Sequence, residues 1–299
     1  MTIKLTTIKG INNNSDALAT KPPYVREAEN VDLDDEGKVV SRRQGHGDEL
    51  ISGAYHSLWP PRPTPAGLML GVTGATLRII NPDWSTTIIR SDLNPDLTMD
   101  YVDVNGIVYY TNNQVYGFIE NRADGTFPAI SKTGGSRMPA GQFIEYYEKH
   151  LYTVRGGYAK YSAPWDFGRL SLRKSLLRFY GQTTMFQAVK DGIYWSVGKQ
   201  TVFLQGIRPW EFNVIPVADY AAIRGTARKF DASLVSSNSP LQGDAVFWYS
   251  EAGPCIGYAG GLMINYGLTK LNPIAGNNGT AIVRKTTKGF YQALTILQN

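Results

Sequence analysis

The feature that most constrains this chain is a repeated pattern of two short strand-like runs joined by a tight turn. The clearest copy runs from Tyr101 to Tyr110, where Asn105-Gly106 separates two runs rich in Val, Ile and Tyr. Asn-Gly between such runs is typical of a β-hairpin with a type I′ turn, because both central residues must adopt positive φ. Similar hairpins are predicted at 68–80, 185–197, 245–258 and 282–294. The fold class predicted from this pattern is all-β.

The predicted hairpins recur at intervals of roughly forty residues, which is typical of the four-stranded blades of a β-propeller. Five or six blades fit the 299 residues, and we expect one propeller-like domain over residues 1–299. Residues 1–50 are predicted to hold an N-terminal hairpin and a ring-closing segment, so that N- and C-terminal strands close the ring and cover strand edges. No signature dipeptide marks every blade, so a pair of β-sandwiches stays an alternative. Residues 168–180 mix two apolar periods and are predicted to form a loop or a short helix.

Composition narrows the class of protein. Cys255 is the only cysteine, so neither an intrachain disulfide nor a multi-cysteine zinc site is possible, and a reducing compartment is expected. The 30 basic and 25 acidic residues are interspersed, so the net charge of +5 does not by itself predict nucleic-acid binding. The N-terminus lacks an apolar stretch like that of a signal peptide, and no apolar run is long enough for a membrane helix. We therefore expect no export by the standard route and no membrane segment.

The residues that could hold a metal do not complete a known pattern. Acids at Asp32, Asp34 and Glu36 before Gly37 resemble part of a calcium loop, but Arg43 stands where the final Glu is required. A tight hairpin turn between strands at 28–33 and 38–43 accounts for the same residues. The three histidines, His46, His56 and His150, are too far apart for a zinc motif. No metal or other cofactor is predicted.

Catalytic motifs are also missing. Cys255 lies in an apolar run without a neighbouring His, so it is predicted to be a packed thiol. Ala123 to Phe127 resembles a single sialidase box, occurs once and has the wrong spacing. Two carboxylates that meet only in space can hydrolyse glycosides, and a sequence cannot exclude that. The protein is predicted not to be an enzyme.

The N-terminal hairpin, residues 28 to 43, is predicted to contact a partner through charged side chains, namely Asp32, Asp34, Asp35, Arg42 and Arg43. The two arginines could contact DNA phosphate or an acidic protein surface, or they could lie at a solvated strand end. Tyr161, Trp165 and Trp210 are either interface anchors or core residues, and the sequence leaves both interpretations open.

The opening of the chain carries a family resemblance. The segments KGINN (9–13), VREAENVDLD (25–34) and GKVVSRRQG (37–45) resemble the start of phage tail-nozzle and packaged-DNA stabilisation proteins, in which a similar opening leads into a propeller. The likeness continues more loosely through 101–106, 161–166, 203–206 and 255–261. None of these segments marks a catalytic residue.

This resemblance implies a structural virion protein of the neck or tail of a tailed bacteriophage, made in the host bacterial cytoplasm. Its expected partners are the portal, the adaptor or other tail proteins, and further copies of itself in a homo-oligomeric ring on the tail axis, close to packaged DNA. A smaller propeller attached to the neck, tail tip or fibre belongs to the same class. The alternative is an adsorption-related propeller at the tail tip or fibre that binds or cleaves carbohydrate.

Overall fold

A computed structural model of the chain describes the parts that carry the blades. The described residues are 10–12, 14, 24–25, 31–33, 39–41, 51–60, 69–120, 122–125, 136–170, 175–234, 243–269, 271–272, 276–285 and 291–298.

Nearly all regular structure in these residues is β-strand, which confirms the predicted fold class. The strands are β1 (Gly10–Ile11), β2 (Tyr24–Val25), β3 (Val31–Leu33), β4 (Val39–Ser41), β5 (Tyr55–Trp59), β6 (Met69–Thr73), β7 (Thr76–Ile80), β8 (Thr86–Arg90), β9 (Asp100–Val104), β10 (Ile107–Thr111), β11 (Tyr116–Glu120), β12 (Ala123–Gly125), β13 (Ser136–Arg137), β14 (Phe143–Tyr147), β15 (His150–Arg155), β16 (Tyr158–Ala163), β17 (Asp166–Leu170), β18 (Leu176–Arg178), β19 (Thr183–Val189), β20 (Gly192–Val197), β21 (Gln200–Gln205), β22 (Asn213–Ala218), β23 (Arg228–Asp231), β24 (Asp244–Ser250), β25 (Gly253–Gly257), β26 (Met263–Asn265), β27 (Asn278–Lys285) and β28 (Tyr291–Gln298). Three single-turn 3₁₀ helices complete the set: η1 (Pro209–Glu211), η2 (Ala232–Leu234) and η3 (Ala259–Gly261).

Five blades are arranged as a β-propeller, which confirms the predicted architecture. Blade 1 is β5–β8, blade 2 is β9–β12, blade 4 is β19–β22 and blade 5 is β23–β26, each with its strands in chain order. Blade 3 has six strands, because β17 and β18 both pair with β16 and β13 pairs with β17. The predicted hairpin turn at Asn105-Gly106 is confirmed, with φ of 54° and 84°.

The chain divides into two compact units, residues 49–216 and residues 1–48 with 217–299. The first unit holds blades 1 to 3 and nearly all of blade 4. The prediction of a single domain over residues 1–299 stays a prediction.

In the unit of residues 49–216, neighbouring blades pack through aromatic and aliphatic side chains. Trp59 of blade 1 stacks on Tyr101 of blade 2, with 5.5 Å between ring centroids. Between blades 3 and 4, Tyr152 contacts Phe186 at 5.8 Å, and within blade 4 Phe186 meets Trp195 edge to face at 5.3 Å. These five side chains, apart from the half-buried Trp59, are buried. Alternating or continuous apolar residues in the strands therefore fill the space between blades.

The other unit contains blade 5 and three smaller pairs of strands. β27 pairs with β28, β3 with β4, and β1 with β2. The β3–β4 pair confirms the predicted hairpin at 28–43 in its backbone, with Asp32 opposite Val40. Among the described residues, β3 pairs only with β4, and β27 pairs with β28 and makes one isolated bridge from Asn278 to Arg224, so closure of the ring by N- and C-terminal strands stays a prediction.

The prediction of a loop or short helix at 168–180 is wrong where the structure describes the segment. Leu170 ends β17, and Leu176–Arg178 forms β18, which pairs with β16 opposite Tyr158–Lys160. The reason is tertiary: β16 offers free backbone groups along its outer edge, and pairing with them outweighs an ambiguous local pattern. In the residues the structure describes, no helix has the length and apolar character needed to cross a bilayer.

Candidate functional site

Three exposed tryptophans mark the same kind of connection in three blades. In each blade the first-to-second and third-to-fourth strand connections lie at one end, here called the lower end, because neighbouring strands are antiparallel. Trp84, Trp165 and Trp210 lie between the third and fourth strands of blades 1, 3 and 4, with 44, 58 and 51% of their surface exposed. Tryptophan is enriched at recognition surfaces, where it supplies a large contact area. All three lie in the unit of residues 49–216.

Trp165 is held outward by a tight turn. Pro164 and Trp165 link β16 to β17, and Ala163 is the strand partner of Asp166. The φ of Trp165 is 59°, an uncommon value for a bulky residue, and its backbone N–H donates to Lys149 O at 2.9 Å. Proline followed by a positive-φ residue is the pattern of a type II turn. The turn fixes the direction in which the indole leaves the blade.

The neighbouring turn of blade 3 has the same unusual backbone. Glu148 and Lys149 link Tyr147 to His150, with φ of 46° and 71°. Two-residue hairpin turns of this type favour Asn and Gly, and a side chain at positive φ costs of the order of 1–2 kcal/mol. Three non-glycine residues with positive φ therefore lie side by side at the lower end of blade 3. Such outliers are concentrated at functional sites.

Trp210 joins this group from blade 4. Pro209 is buried and starts η1, so Trp210 points outward in the connection between β21 and β22. Its indole meets the His150 ring edge to face, with 6.5 Å between centroids. The buried His150 ring contacts the indole of Trp210, and Lys149 next to it accepts from the N–H of Trp165, so these residues form one connected group across blades 3 and 4. We call Lys149, His150, Trp165 and Trp210, with the acids Asp166 and Glu211 that follow the two indoles, the turn patch.

Buried groups hold the turn patch from beneath. The Nδ1–H of the buried His150 donates to Ser162 O at 2.6 Å, and its ring meets Tyr161 edge to face at 5.6 Å. The hydroxyl of Tyr147 donates to Gly206 O at 2.6 Å, which ties blade 3 to blade 4. Burial raises the pKa of Tyr147 well above its ordinary value, so this hydroxyl keeps its proton. These contacts therefore fix the positions of the residues beneath the turn patch.

Each indole of the patch is followed by a carboxylate that is paired with an arginine. Asp166 accepts from Arg169 at 2.7 Å, and Glu211 accepts from Arg208 at 3.3 Å and from the indole Nε1 of Trp210 at 3.2 Å. Both pairs are exposed, so they contribute little to stability. What they supply is a fixed set of hydrogen-bond donors and acceptors beside each ring.

The structure separates the aromatic residues that the sequence left open. Tyr161 is a core residue, whereas Trp165 and Trp210 are exposed. The sequence did not predict that these two indoles belong to one surface. It also did not predict that Trp84 occupies the matching connection of blade 1.

A sequence signal for this surface exists. Pro-Trp-Asp-Phe at 164–167 and Pro-Trp-Glu-Phe at 209–212 are nearly identical, and Trp165 and Trp210 are 45 residues apart. That spacing is the length of one blade, so a local signature does recur, although only in two neighbouring blades.

The predicted contact residues of the N-terminal hairpin cannot be compared with this surface. Asp32 lies in β3, and only its backbone is described. Asp34, Asp35, Arg42 and Arg43 lie outside the described residues. Their role in partner contact stays a prediction.

Other groups with reactive potential are packed into the scaffold. Cys255 is buried with its sulfur 3.5 Å from Ser250 Oγ, and burial raises the pKa of its thiol to about 11. His56 is half-buried, contacts Ser57 Oγ through Nδ1 at 2.9 Å, and has its pKa lowered by burial. Within the described part of the chain, no three His, Cys, Asp or Glu side chains come together as a metal site would require.

Comparison with known proteins yields structural likeness only. No protein-family model and no curated protein matches the sequence. Similar solved structures include PorZ of the type-IX secretion system of Porphyromonas gingivalis (12% identity, 72% of this chain and 27% of that chain, TM-score 0.45). Others are the N-terminal domain of Nup159 (8%, 81% and 73%, TM-score 0.48) and a luciferin-regenerating enzyme (10%, 74% and 82%, TM-score 0.40). The chain spans about a quarter of the length of the PorZ chain. TM-scores below 0.5 at such identities carry nothing about function.

Proposed function

We propose that this chain is a non-enzymatic structural protein of the virion of a tailed bacteriophage, located in the neck or tail, and that its propeller acts as a rigid recognition module. The virion context is supported by the resemblance of residues 9–45 to the opening of phage tail-nozzle proteins. The recognition role is supported by one observation above all, the turn patch with its two exposed indoles on a buried base.

The side chains with catalytic potential support a structural role. Glu145 is 2% exposed, and its carboxylate accepts from two backbone N–H groups, those of Tyr146 and Ala188. His150 is engaged with Ser162 O, and the Cys255 thiol stays protonated at neutral pH because its pKa is raised. The Glu145 carboxylate and the Nδ1–H of His150 thus bond to backbone groups, and the Cys255 sulfur lies beside Ser250 Oγ, so these groups are used within the scaffold.

In the assembled particle we propose that copies of the chain form a homo-oligomeric ring on the tail axis and contact the portal, the adaptor or other tail proteins. Closed rings of identical subunits need self-complementary or head-to-tail surfaces, with affinity concentrated in a few aromatic and arginine anchors. The N-terminal hairpin with Arg42 and Arg43 is the proposed contact element, and packaged DNA lies nearby.

The test is the composition and structure of purified phage particles that encode this chain. Mass spectrometry should detect the chain in the particle, and cryo-electron microscopy should place a ring of about six or twelve copies on the tail axis. Absence of the chain from the particle would contradict the proposal. The joint variant Arg42→Ala with Arg43→Ala should reduce incorporation, whereas Arg155→Ala, at an exposed residue of β15, should not.

A second candidate function, glycan recognition during adsorption, is favoured by a specific observation. The turn patch combines exposed indoles with hydrogen-bonding side chains in adjacent positions. On this candidate the same particles would carry the chain at peripheral fibres or the tail tip, and the axial ring would be missing.

A further inference from the structure

We infer that the turn patch is a binding site for a neutral oligosaccharide, in which the indoles of Trp165 and Trp210 stack on separate sugar rings. The inference rests on the adsorption candidate and names its ligand class and its binding residues.

The exposed indoles supply the stacking surfaces. A pyranose ring presents an apolar face of C–H groups, and the face of an indole carries the negative charge of its π-system, so the two surfaces are complementary. More than half of Trp165 and of Trp210 is exposed. The turn at Pro164 and the buried Pro209 hold the backbone of both residues, so little conformational entropy is lost when a ligand binds.

The polar groups beside the indoles match hydroxyl groups. Each Trp is followed directly by an acid, Asp166 or Glu211, and each acid is paired with an arginine. A carboxylate and a guanidinium side by side offer acceptors and donors together, and neighbouring hydroxyls of a sugar require both. The indole Nε1–H of Trp210 already points to Glu211, which orients that carboxylate along the edge of the ring.

The charge of the site selects a neutral ligand. The patch, its two paired arginines and the neighbouring Glu148 contain three acids, Glu148, Asp166 and Glu211, and three basic residues, Lys149, Arg169 and Arg208. A cationic ligand would be attracted to an indole next to an unpaired carboxylate, but both carboxylates that follow the indoles are already paired. A strongly anionic ligand would likewise find both arginines already paired with carboxylates. The balanced set favours a ligand that carries hydroxyls and no charge.

The arrangement also selects a chain of sugars over a single one. The His150 ring contacts Trp210, and the carbonyl of Lys149, the residue before His150, accepts from the backbone N–H of Trp165. The two indoles belong to turns of different blades, so each offers its own stacking surface to a sugar ring. An oligosaccharide can contact both indoles, and its middle units would pass over the exposed Lys149.

Blade 1 offers a matched control for the indoles. Trp84 is exposed and has a positive φ of 66°, like Trp165, and it occupies the same connection between third and fourth strands. Ser85 follows it in place of an acid, and the carboxylate of Asp83 accepts from the backbone N–H and the hydroxyl of Ser85. Trp84 therefore has an exposure similar to that of the patch residues, but the residue after it is not an acid paired with an arginine.

The experiment titrates the full chain with cellotetraose, maltotetraose, chitotetraose and mannotetraose, monitored by indole fluorescence and by calorimetry. We expect at least one of these sugars to bind. Trp165→Ala and Trp210→Ala should each weaken its binding about tenfold or more, as loss of a central aromatic anchor does. Trp84→Ala should leave it unchanged. Melting curves of the three variants should match, because exposed side chains contribute little to stability.

Two results would overturn the inference: no binding of any of the four sugars, or binding that Trp84→Ala weakens as much as Trp165→Ala does. Tighter binding of tetralysine than of the sugars, lost in Trp165→Ala, would also overturn it in favour of a cationic partner. Incorporation of Trp165→Ala into particles separates the two proposals. If Trp165→Ala is incorporated normally and the parent chain binds no sugar, only the glycan site is contradicted. If the chain binds sugar but is absent from particles, only the virion role is contradicted.

Discussion

Glu145 belongs to a series of hydrogen bonds that join the first strand of one blade to residues in or next to the first strand of the following blade. In each case a side chain of one blade accepts from a backbone N–H of the next. The three bonds are Ser57 Oγ with Met99 N at 2.8 Å, Asp100 Oδ2 with Ile144 N at 2.8 Å, and Glu145 Oε2 with Ala188 N at 3.1 Å. The acceptors lie 43 and 45 residues apart, one blade each. Val189 occupies the next place in the series and has no acceptor.

Glu145→Ala removes the acceptor for two N–H groups, those of Tyr146 and Ala188, at a site that is 2% exposed. A buried donor left without a partner costs about 1–3 kcal/mol, so the substitution should lower the free energy of unfolding by about 2–6 kcal/mol. For a domain of this size each kcal/mol lowers the melting midpoint by about 2–4 °C, so a central loss of about 4 kcal/mol corresponds to roughly 8–16 °C. Glu145→Gln keeps one acceptor oxygen and should lose about half as much.

Thermal unfolding followed by circular dichroism measures this effect. Asp92→Ala is the control, because Asp92 is paired with Arg90 but its side chain is 66% exposed, and an exposed pair contributes at most about 1 kcal/mol. If Glu145→Ala melts within about 2 °C of Asp92→Ala, the buried carboxylate does not join blades 3 and 4 energetically, and the reasoning is refuted.

Three further outcomes follow from the structure. Because burial raises the pKa of the Cys255 thiol to about 11, the folded protein at pH 8 should not react with Ellman's reagent, and reaction should begin only on unfolding; fast reaction of the native protein would contradict this. Burial also raises the pKa of Tyr109 from 10.0 to about 12. Its contribution to stability is therefore complete below pH 10 and should fall as the pH rises from 10 to about 12, as measured by circular dichroism together with tyrosinate absorbance. Unchanged stability at pH 12 would be inconsistent with this expectation. Replacing Glu148-Lys149 by Asn-Gly should raise the free energy of unfolding by about 1–2 kcal/mol, and with it the melting midpoint, because both positions have positive φ. A lower midpoint would show that the two side chains stabilise the turn.

The fold was predictable because its local signals agree with its tertiary pairing. Asn105-Gly106 alone specifies a two-residue turn, and the flanking runs have the residue types of half-buried strands. Segment 168–180 was not predictable in the same way, because β18 depends on the edge of β16 and its own exposed and half-buried residues give no clear period. Five blades rather than six also follow from pairing, since β27 and β28 form a two-stranded sheet and no complete sixth blade lies in the described residues.

The candidate site was predictable only in part. Trp165 and Trp210 could be singled out as anchors or core, but exposure depends on the packing of the strands around them. Contact between the rings of His150 and Trp210 joins residues of two blades, and a single sequence without repeats at every blade contains no direct signal for it. The repeated Pro-Trp-acid-Phe motif was the available signal, and its position one blade apart would have placed both indoles at the same end of their blades.

The motif explains why two different backbones present an indole in the same way. At 164–167 the chain makes a tight turn, whereas at 209–212 it starts a 3₁₀ helix, so the turn type is not what the two copies share. They share the residue after the acid. Phe167 packs on Tyr109 and Tyr146, with centroids 5.3 and 5.9 Å away, and Phe212 packs on Tyr147 at 6.1 Å. Proline before the indole and an inward phenylalanine two residues after it fix both sides of the turn, so the indole between them must point to solvent. The exposure of the two indoles is thus a consequence of how proline and phenylalanine anchor each copy of the motif. Exposed apolar area is unfavourable, and yet the core holds an indole in solvent at both copies.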